Sequence, residues 1–258
     1  MSRTLVVVGH GMVAHHLMER LRADDTGRRW RIVVLGEEPQ PAYDRVSLSS
    51  YLDGKSAQDL RLADRDLLGD PLVELRSGTR AVRIDRRDGS VVTADGTAWR
   101  YDALVLATGS RPFVPPVPGH DLAGCFTYRT LDDLDAIRAA ARPGSPAVVV
   151  GGGLLGLEAA NSLRVLGMRP RVVELAPWPM PAQVDARGGE LLAGLLGERG
   201  LTVHCGVRVA SLRAGPGGWV RSVTLDDGTV LDASLVVFAA GVRPRDELAA
   251  TAGLVTGR

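Results

Sequence analysis

The sequence has few of the residues on which several kinds of site depend. Only two of its 258 residues are cysteine, Cys125 and Cys205, and they lie far apart without forming a Cys-x-x-Cys pair. Two thiols cannot hold an iron–sulfur cluster, and a redox-active disulfide is disfavoured. The five histidines show no metal-ligand spacing, since His15 and His16 are adjacent and point to different sides of a helix. We therefore predict no metal site.

Charge and apolar length exclude further partners. Lys55 is the only lysine, the arginines are scattered, and the formal net charge is +1. Such a surface gives no electrostatic basis for binding nucleic acid. No apolar stretch approaches the length needed to cross a bilayer, and the first apolar run is too short for a signal peptide. We expect a cytoplasmic protein that binds neither nucleic acid nor membrane.

The chain contains the same pattern twice. Residues 5–14 and 147–156 each combine an apolar strand, a glycine-rich turn and the start of a helix, and the next strand ends in an acid, Glu37 or Glu174. Each copy continues with a short alternating meander and closes on a strand that runs into glycine. The pattern predicts an α/β fold of two Rossmann-like three-layer modules, each with a β-meander, the second inserted after the first.

The glycine-rich turns predict dinucleotide binding. In such turns the first glycine permits a tight turn, the second admits a pyrophosphate, and the third lets helix and strand pack closely. In the second copy these positions are Gly151, Gly153 and Gly156; in the first they are Gly9, Gly11 and Ala14. One such motif is weak evidence, but two copies with the same strand, helix and acid around them indicate two nucleotide sites.

The acids at the strand ends indicate which nucleotides fit. A carboxylate at Glu174 can accept the ribose hydroxyls of adenosine, and no arginine in 175–177 could receive a 2′-phosphate. The second site should therefore prefer NADH to NADPH; the alternative interpretation of Glu174 is a solvated strand-end acid. Glu37 has the corresponding position in the first copy, with Glu38 as its substitute.

Further segments carry a family resemblance. The Tyr-Asp-Arg and Leu-Ser residues within 41–51, Gly-Met-Val at 11–13, and residues 174–185 resemble flavoprotein reductases with two dinucleotide-binding domains. That group includes the pyridine nucleotide-disulphide oxidoreductases, and the resemblance is greatest to the N-terminal part of NADH-dependent nitrite reductase large subunits. It implies an FAD-binding domain over 1–116, an NADH-binding domain over 117–243, and at 244–258 the start of a return to the FAD domain, which the sequence leaves incomplete.

The resemblance also implies individual roles. Arg45 would contact the FAD pyrophosphate, and the Val82 backbone would meet adenine. The alternative interpretation of Arg45 is an ordinary solvated arginine. Related reductases often carry a lysine near the flavin where this chain has Ser50, so that contact is not transferred. The remaining predicted cofactor-binding positions are Met12, Ala107, Thr108, Gly109, Arg111, Leu154, Leu155 and Gly241.

Glu158 is the candidate catalytic residue. The resemblance puts its carboxylate beside the nicotinamide and flavin rings, whereas the simpler interpretation is an acid that favours a helix N-terminus. Two functions remain open. One is a flavoprotein module that transfers hydride from NADH to FAD and then electrons to an acceptor protein or domain. The other is an inactive dinucleotide-binding fragment; neither is expected to reduce nitrite alone. Association into a homo-oligomer is compatible with the sequence.

Overall fold

The computed structural model describes residues 3–62, 67 and 69–257, so the ends of the predicted domains at Met1 and Arg258 lie outside it. The chain forms two compact units. The first unit comprises residues 1–45, 57–111 and 244–258, and the second comprises 46–56 and 112–243. Both contain parallel sheets with helices, and the mixed α/β class is confirmed.

A parallel four-stranded sheet forms the centre of the first unit, in the order β3-β2-β1-β7. Its strands are β1 (Arg3–Val8), β2 (Trp30–Leu35), β3 (Val73–Arg76) and β7 (Ala103–Leu106). An antiparallel meander follows β3 and consists of β4 (Ala81–Asp85), β5 (Ser90–Thr93) and β6 (Ala98–Arg100). The helices are α1 (Met12–Asp24), α3 (Ala57–Leu60) and α7 (Glu247–Thr251).

The second unit repeats this arrangement around a parallel five-stranded sheet, in the order β12-β11-β10-β16-β9. Its strands are β9 (Cys125–Thr127), β10 (Pro146–Val150), β11 (Arg169–Glu174), β12 (Thr202–Cys205) and β16 (Leu235–Phe238). The meander contains β13 (Val209–Ala214), β14 (Val220–Leu225) and β15 (Val230–Asp232). The helices are α2 (Leu48–Leu52), α4 (Leu131–Ala140), α5 (Leu154–Val165) and α6 (Ala186–Glu198). A short 3-10 helix (Pro216–Gly218) lies within the meander, and β8 (Ser110–Pro112) pairs with β17 (Val242–Pro244) in a two-stranded sheet.

The strand sequences explain the cores. Helices and meanders cover parallel sheets on both faces, so their strands are continuous runs of β-branched and other apolar residues. Leu5 to Val8 and Ala147 to Val150 are buried in this way, as are Ile32 to Leu35. The closing strands differ, because every residue of β16 is buried whereas every residue of β7 is only partly buried. β16 lies between β10 and β9, whereas in the described residues β7 pairs only with β1.

The two compact units divide the chain at other residues than the predicted domains do. Residues 46–56 lie inside the predicted first domain, yet they group with the second unit. Their helix α2 packs against α4 and α5. The Tyr51 hydroxyl donates to Asp135 at 2.8 Å, and Arg138 donates to the Tyr51 carbonyl at 2.5 Å. The second stretch of the first unit ends at 111 rather than near 116, and residues 244–258 group with the first unit.

Candidate nucleotide-binding sites

The turn after β1 has the geometry that the first glycine motif predicts. Gly9 has φ +106°, and a Cβ there would lie 2.1 Å from the Ala107 carbonyl oxygen. A larger residue would collide with the chain at the end of β7, so glycine is required. Around a Cβ at Gly11, by contrast, no heavy atom lies within 4 Å. Ala14 is fully buried at the third position, where a small residue lets the helix approach the sheet.

The turn after β10 repeats this geometry. Gly151 has φ +114°, and its Cβ would lie 2.5 Å from the Ala239 carbonyl oxygen. Gly153, like Gly11, has open space where a Cβ would be. A Cβ at Gly156 would lie 1.9 Å from the Gly151 carbonyl oxygen, so helix and turn touch backbone to backbone. Each motif therefore combines a glycine in a tight turn, a glycine with open space at its Cβ position and a small third residue at the helix.

Both turns lead into helices whose N-termini are open to an anion. Gly11 and Gly153 are the N-cap residues of α1 and α5, and neither helix has a side-chain cap or an acidic residue in its first turn. The first-turn amides, which include those of Met12, Leu154 and Leu155, thus lack the usual side-chain acceptor. These amides and the helix dipole together favour a phosphate group at each turn.

Glu174 is fixed at the second turn by backbone donors. Its Oε2 accepts a hydrogen bond from the Gly152 amide at 2.5 Å, and its Oε1 accepts one from the Ala176 amide at 2.7 Å. A Cβ at Gly152 would lie 2.8 Å from the Glu174 Cβ, so the turn and the acid are in close contact. Leu175 follows with a 69% exposed side chain. The carboxylate is therefore held beside the turn, and the next side chain is neutral.

Two adjacent acids occupy different surroundings at the end of β2. Glu38 accepts hydrogen bonds from the Tyr43 hydroxyl at 2.7 Å and from the Arg45 guanidinium, and its side chain is 29% exposed. Glu37 is 45% exposed and forms ion pairs with Arg80, at 3.6 Å, and with Arg245. Glu37 is the more accessible carboxylate, which favours it over its predicted substitute.

The other predicted positions of the first unit lie on several elements. The Arg45 guanidinium pairs with Glu38 and lies 4.7 Å from the centroid of the Tyr43 ring, so the structure shows an engaged rather than a solvated arginine. Val82, in β4, is 46% exposed. Ala107 follows β7, and the Thr108 hydroxyl donates to the Arg245 carbonyl at 2.6 Å. The Gly109 carbonyl accepts from the Arg245 amide at 3.0 Å, and Arg111 pairs with Glu247.

Glu158 and the closing glycine belong to the second unit. Glu158 lies in α5 beyond the first turn, which contains no acidic residue, so its interpretation as an acid at the helix N-terminus is wrong. Burial raises the pKa of its carboxyl group. Burial also raises the pKa of the neighbouring Tyr128 phenol to about 12, with a further contribution from the Glu158 charge. The Tyr128 hydroxyl lies 3.3 Å from the Ser162 hydroxyl. Gly241 has φ +107°, and its carbonyl accepts the Phe113 amide at 2.8 Å.

Two arginines and one histidine at these edges are not among the site residues predicted from the sequence. Arg80 and Arg245 contact Glu37 although they lie far from it in the chain, and no local pattern indicates such pairs. His10, inside the first glycine turn, has two buried ring nitrogens that lack a hydrogen-bond partner. Burial first, then the charges of His15 and Arg61, lower the pKa of His10 to about 4. The histidine could have been noticed from its place between two motif glycines.

The described residues contain neither a metal-binding cluster nor a membrane-spanning helix. Among residues 3–62, 67 and 69–257, no group of His, Cys, Asp and Glu side chains could hold a metal ion. None of the helices described there is long and apolar enough to span a bilayer. Both cysteines are free, and burial is the main cause that raises their pKa values, to about 11 for Cys125. Neither thiol is therefore activated as a nucleophile.

Comparison with known proteins identifies the family. The profile of the pyridine nucleotide-disulphide oxidoreductase family matches residues 3–258, and the chain belongs to this family. It is 47% identical to the nitrite reductase [NAD(P)H] large subunit of Klebsiella oxytoca over 98% of its own length, which is 26% of that subunit. The corresponding subunit of Escherichia coli is 39% identical over 97% of this chain and 30% of its own length. The chain thus spans about a third or less of these relatives.

A solved structure supports the same assignment. The chain superposes on a ferredoxin reductase from Rhodopseudomonas palustris with a TM-score of 0.91 and 34% identity, covering 99% of this chain and 63% of that one. The family and its ferredoxin reductase members use FAD and NAD(P)H. The two turns fit such cofactors, because each has a tight glycine, an open glycine and an uncapped helix N-terminus.

Proposed function

We propose that the chain is a flavoprotein oxidoreductase module in which NADH reduces FAD and the electrons leave to an acceptor protein or domain. The observation that carries this proposal is the duplicated turn: two glycine motifs with matching Cβ restrictions, each at an uncapped helix N-terminus and each followed along the chain by a strand with an acid at its end. In this proposal the two units are Rossmann-like modules, the first for FAD and the second for NADH.

The second unit is proposed to bind NADH. The amides after Gly153 would receive the pyrophosphate, and the Glu174 carboxylate would accept the adenosine ribose hydroxyls. Both Glu174 oxygens already accept one backbone amide, and each retains a lone pair for a ribose hydroxyl. A 2′-phosphate at this place would meet the Glu174 charge and the neutral Leu175, which supports a preference for NADH over NADPH.

The first unit is proposed to bind FAD. Gly11 and the first amides of α1 would hold the pyrophosphate, and Glu37 would accept the ribose hydroxyls. The family resemblance adds the Val82 backbone near adenine, and Thr108, Gly109 and Arg111 along the FAD side of the closing strand. The resemblance assigns Arg45 to the pyrophosphate. To make that contact, its guanidinium would have to break the ion pair with Glu38 or bind the phosphate and Glu38 together.

FAD, when bound, supplies the chemistry by accepting hydride from NADH and releasing electrons one at a time or in pairs. The protein's own residues bind the two nucleotides and fix their orientation, which needs no side-chain acid or base. Glu158 would line the nicotinamide side, where its raised pKa reflects partial removal from water.

The acceptor is proposed from the relatives. They include nitrite reductase large subunits and the ferredoxin–NAD(+) reductase of a benzene dioxygenase system, which is 33% identical. We therefore propose an acceptor protein or domain that carries a redox centre. Nitrite reduction by this chain alone is not proposed, because its two cysteines cannot hold a four-thiolate cluster. A cytoplasmic location is proposed with it.

One observation favours the second candidate function, a fragment that binds NADH without retaining flavin. The closing strand β7 of the first unit is only partly buried, whereas its counterpart β16 is fully buried. A less enclosed sheet would hold its ligand edge less rigidly.

Equilibrium titration distinguishes the two functions. Purified chain is titrated with FAD, followed by flavin fluorescence, and separately with NADH and NADPH, followed by protein fluorescence. The module predicts saturable binding of FAD and of NADH, with NADPH weaker than NADH. NADH binding without FAD binding would support the fragment, and binding of neither nucleotide would overturn both functions.

A further inference from the structure

Arg245 joins two elements that the proposed FAD site uses. Its side chain pairs with Glu37, which follows β2. Its backbone amide donates to the Gly109 carbonyl at 3.0 Å, and its carbonyl accepts the Thr108 hydroxyl at 2.6 Å, both just after β7. The residue is therefore fixed by its main chain at the end of one strand while its guanidinium reaches the end of another.

The sheet order shows what lies between these two ends. In the order β3-β2-β1-β7, strand β1 separates β2 from β7. Adjacent strands lie about 4.8 Å apart, so β2 and β7 are roughly 10 Å from each other. All three strands are parallel, and their carboxyl ends meet at one edge. The Arg245 side chain thus extends along the edge at which β1 runs into the turn with Gly9 and Gly11.

The charges at this edge make Arg245 the arginine best placed for an anion. Arg45 pairs with Glu38 and is only 20% exposed, and Arg111 pairs with Glu247. The Arg245 side chain is 42% exposed, and its partner Glu37 also forms an ion pair with Arg80. If Arg245 turns away, Glu37 therefore still has a cation beside it.

We propose that Arg245 is a pyrophosphate-binding residue of the first nucleotide site, on the side opposite the amides of the glycine turn. This inference rests on the proposed function of the first unit. When a ribose occupies Glu37, the guanidinium transfers to the neighbouring phosphate oxygens, for which its planar donor set is suited. The turn supplies backbone donors and a helix dipole, and Arg245 supplies the full positive charge.

The experiment measures FAD affinity by flavin fluorescence for the wild type, Arg245→Ala, Arg245→Lys and Arg20→Ala. Arg20 is an exposed arginine of α1, eight residues beyond Met12, and its loss is a matched change in net charge. Loss of a charged hydrogen bond to phosphate should raise the Kd of R245A by roughly tenfold to a hundredfold. R245K should recover part of this loss, and R20A should match the wild type. NADH affinity, measured on the same samples, should stay constant, and circular dichroism of each variant should match the wild type, which checks that both units are folded.

A double-mutant cycle separates direct contact from an effect through Glu37. If Arg245 contacts phosphate, R245A weakens FAD binding by a similar factor in the Glu37→Gln background. An effect that vanishes in that background would show that Arg245 only orients Glu37 and would overturn the assignment. Equal FAD affinity in R245A and R20A would also overturn it and leave the proposed function intact. A wild type that binds NADH but no FAD would overturn the proposed FAD site and the Arg245 assignment together.

Discussion

At the scale of single residues, nucleotide recognition depends on a few carboxylates whose surroundings differ. Glu174 is held by the amides of Gly152 and Ala176, Glu38 by Tyr43 and Arg45, and Glu37 by two arginines. Backbone amides cannot move away without unfolding the turn, whereas side chains can. Glu174 is therefore the most preorganised of these acids. We expect NADH binding to require less side-chain rearrangement than FAD binding.

Replacement of Glu174 by alanine should weaken NADH binding by about tenfold or more, because the ribose loses an acceptor and the turn loses its partner. It should also bring the affinities for NADH and NADPH closer together, since the charge that repels a 2′-phosphate is gone. Titration of both nucleotides checks this, with Glu190→Ala on the exposed face of α6 as the matched loss of charge. Unchanged NADH affinity in E174A would show that Glu174 is only a solvated strand-end acid.

His10 predicts how stability depends on pH. Its pKa of about 4 lies below the ordinary value of 6.5 because the ring is buried near His15 and Arg61. Above pH 6.5 the ring is neutral in both states. As the pH falls from 6.5 to 4, His10 binds a proton in the unfolded chain but not in the folded chain. The free energy of unfolding should therefore fall by up to about 2 kcal/mol between pH 7 and pH 5.

Urea unfolding at pH 7 and at pH 5 measures this loss. His10→Asn should make the difference between the two pH values smaller, whereas His16→Asn, at a side chain 73% exposed, should leave it as in the wild type. Equal pH dependence in H10N and the wild type would exclude His10 as its source.

At the scale of elements, the strand–turn–helix unit needs close packing at one glycine and open space at another. Gly156 is needed for packing, because its Cβ would lie 1.9 Å from the Gly151 carbonyl oxygen. Gly153 has no such contact, and its φ of −75° is open to any residue. The third glycine is therefore constrained by the fold, whereas the second is constrained only by the ligand of the proposed function.

This separation predicts two different variants. Gly156→Ala should destabilise the second unit by about 1–3 kcal/mol or more, because neither backbone can retreat from the added methyl group. Gly153→Ala should fold like the wild type and yet lose NADH affinity, because the methyl group fills the space proposed for the pyrophosphate. Thermal unfolding and NADH titration of both variants check this. A G153A variant that binds NADH normally would place the pyrophosphate elsewhere.

The sequence predicts those features that depend on local pattern. The glycine turns, the acids Glu37 and Glu174 and the two meanders could be identified because each requires particular residues at fixed spacing. Two features could not be identified. Residues 46–56 group with the second unit through contacts such as Tyr51 to Asp135, and Arg245 reaches Glu37 across 208 residues. Long-range side-chain pairs leave no periodic signal in one sequence.

At the scale of the whole molecule, the two units share one plan but differ in how their sheets are completed. The second unit places β16 between two strands, whereas β7 of the first unit is partly buried and pairs with β1 alone among the described residues. Strands at an edge open more readily than strands inside a sheet. The unit proposed to carry FAD should be the less stable of the two.

Hydrogen exchange followed by mass spectrometry measures that difference. Peptides that contain Ala103–Leu106 should exchange at least about tenfold faster than peptides that contain Leu235–Phe238. Added FAD should slow the first set, and added NADH should slow the second. Equal protection of both strands without ligand would contradict the difference in stability.

In the proposed function, FAD bound to this chain is reduced by NADH. The most direct measurement is the visible spectrum of the purified chain, first with added FAD after removal of free flavin, then after anaerobic addition of NADH. We expect retained flavin absorbance that bleaches when NADH is added. A chain that remains colourless after incubation with FAD, while it still binds NADH, would contradict the oxidoreductase function and leave a nucleotide-binding fragment.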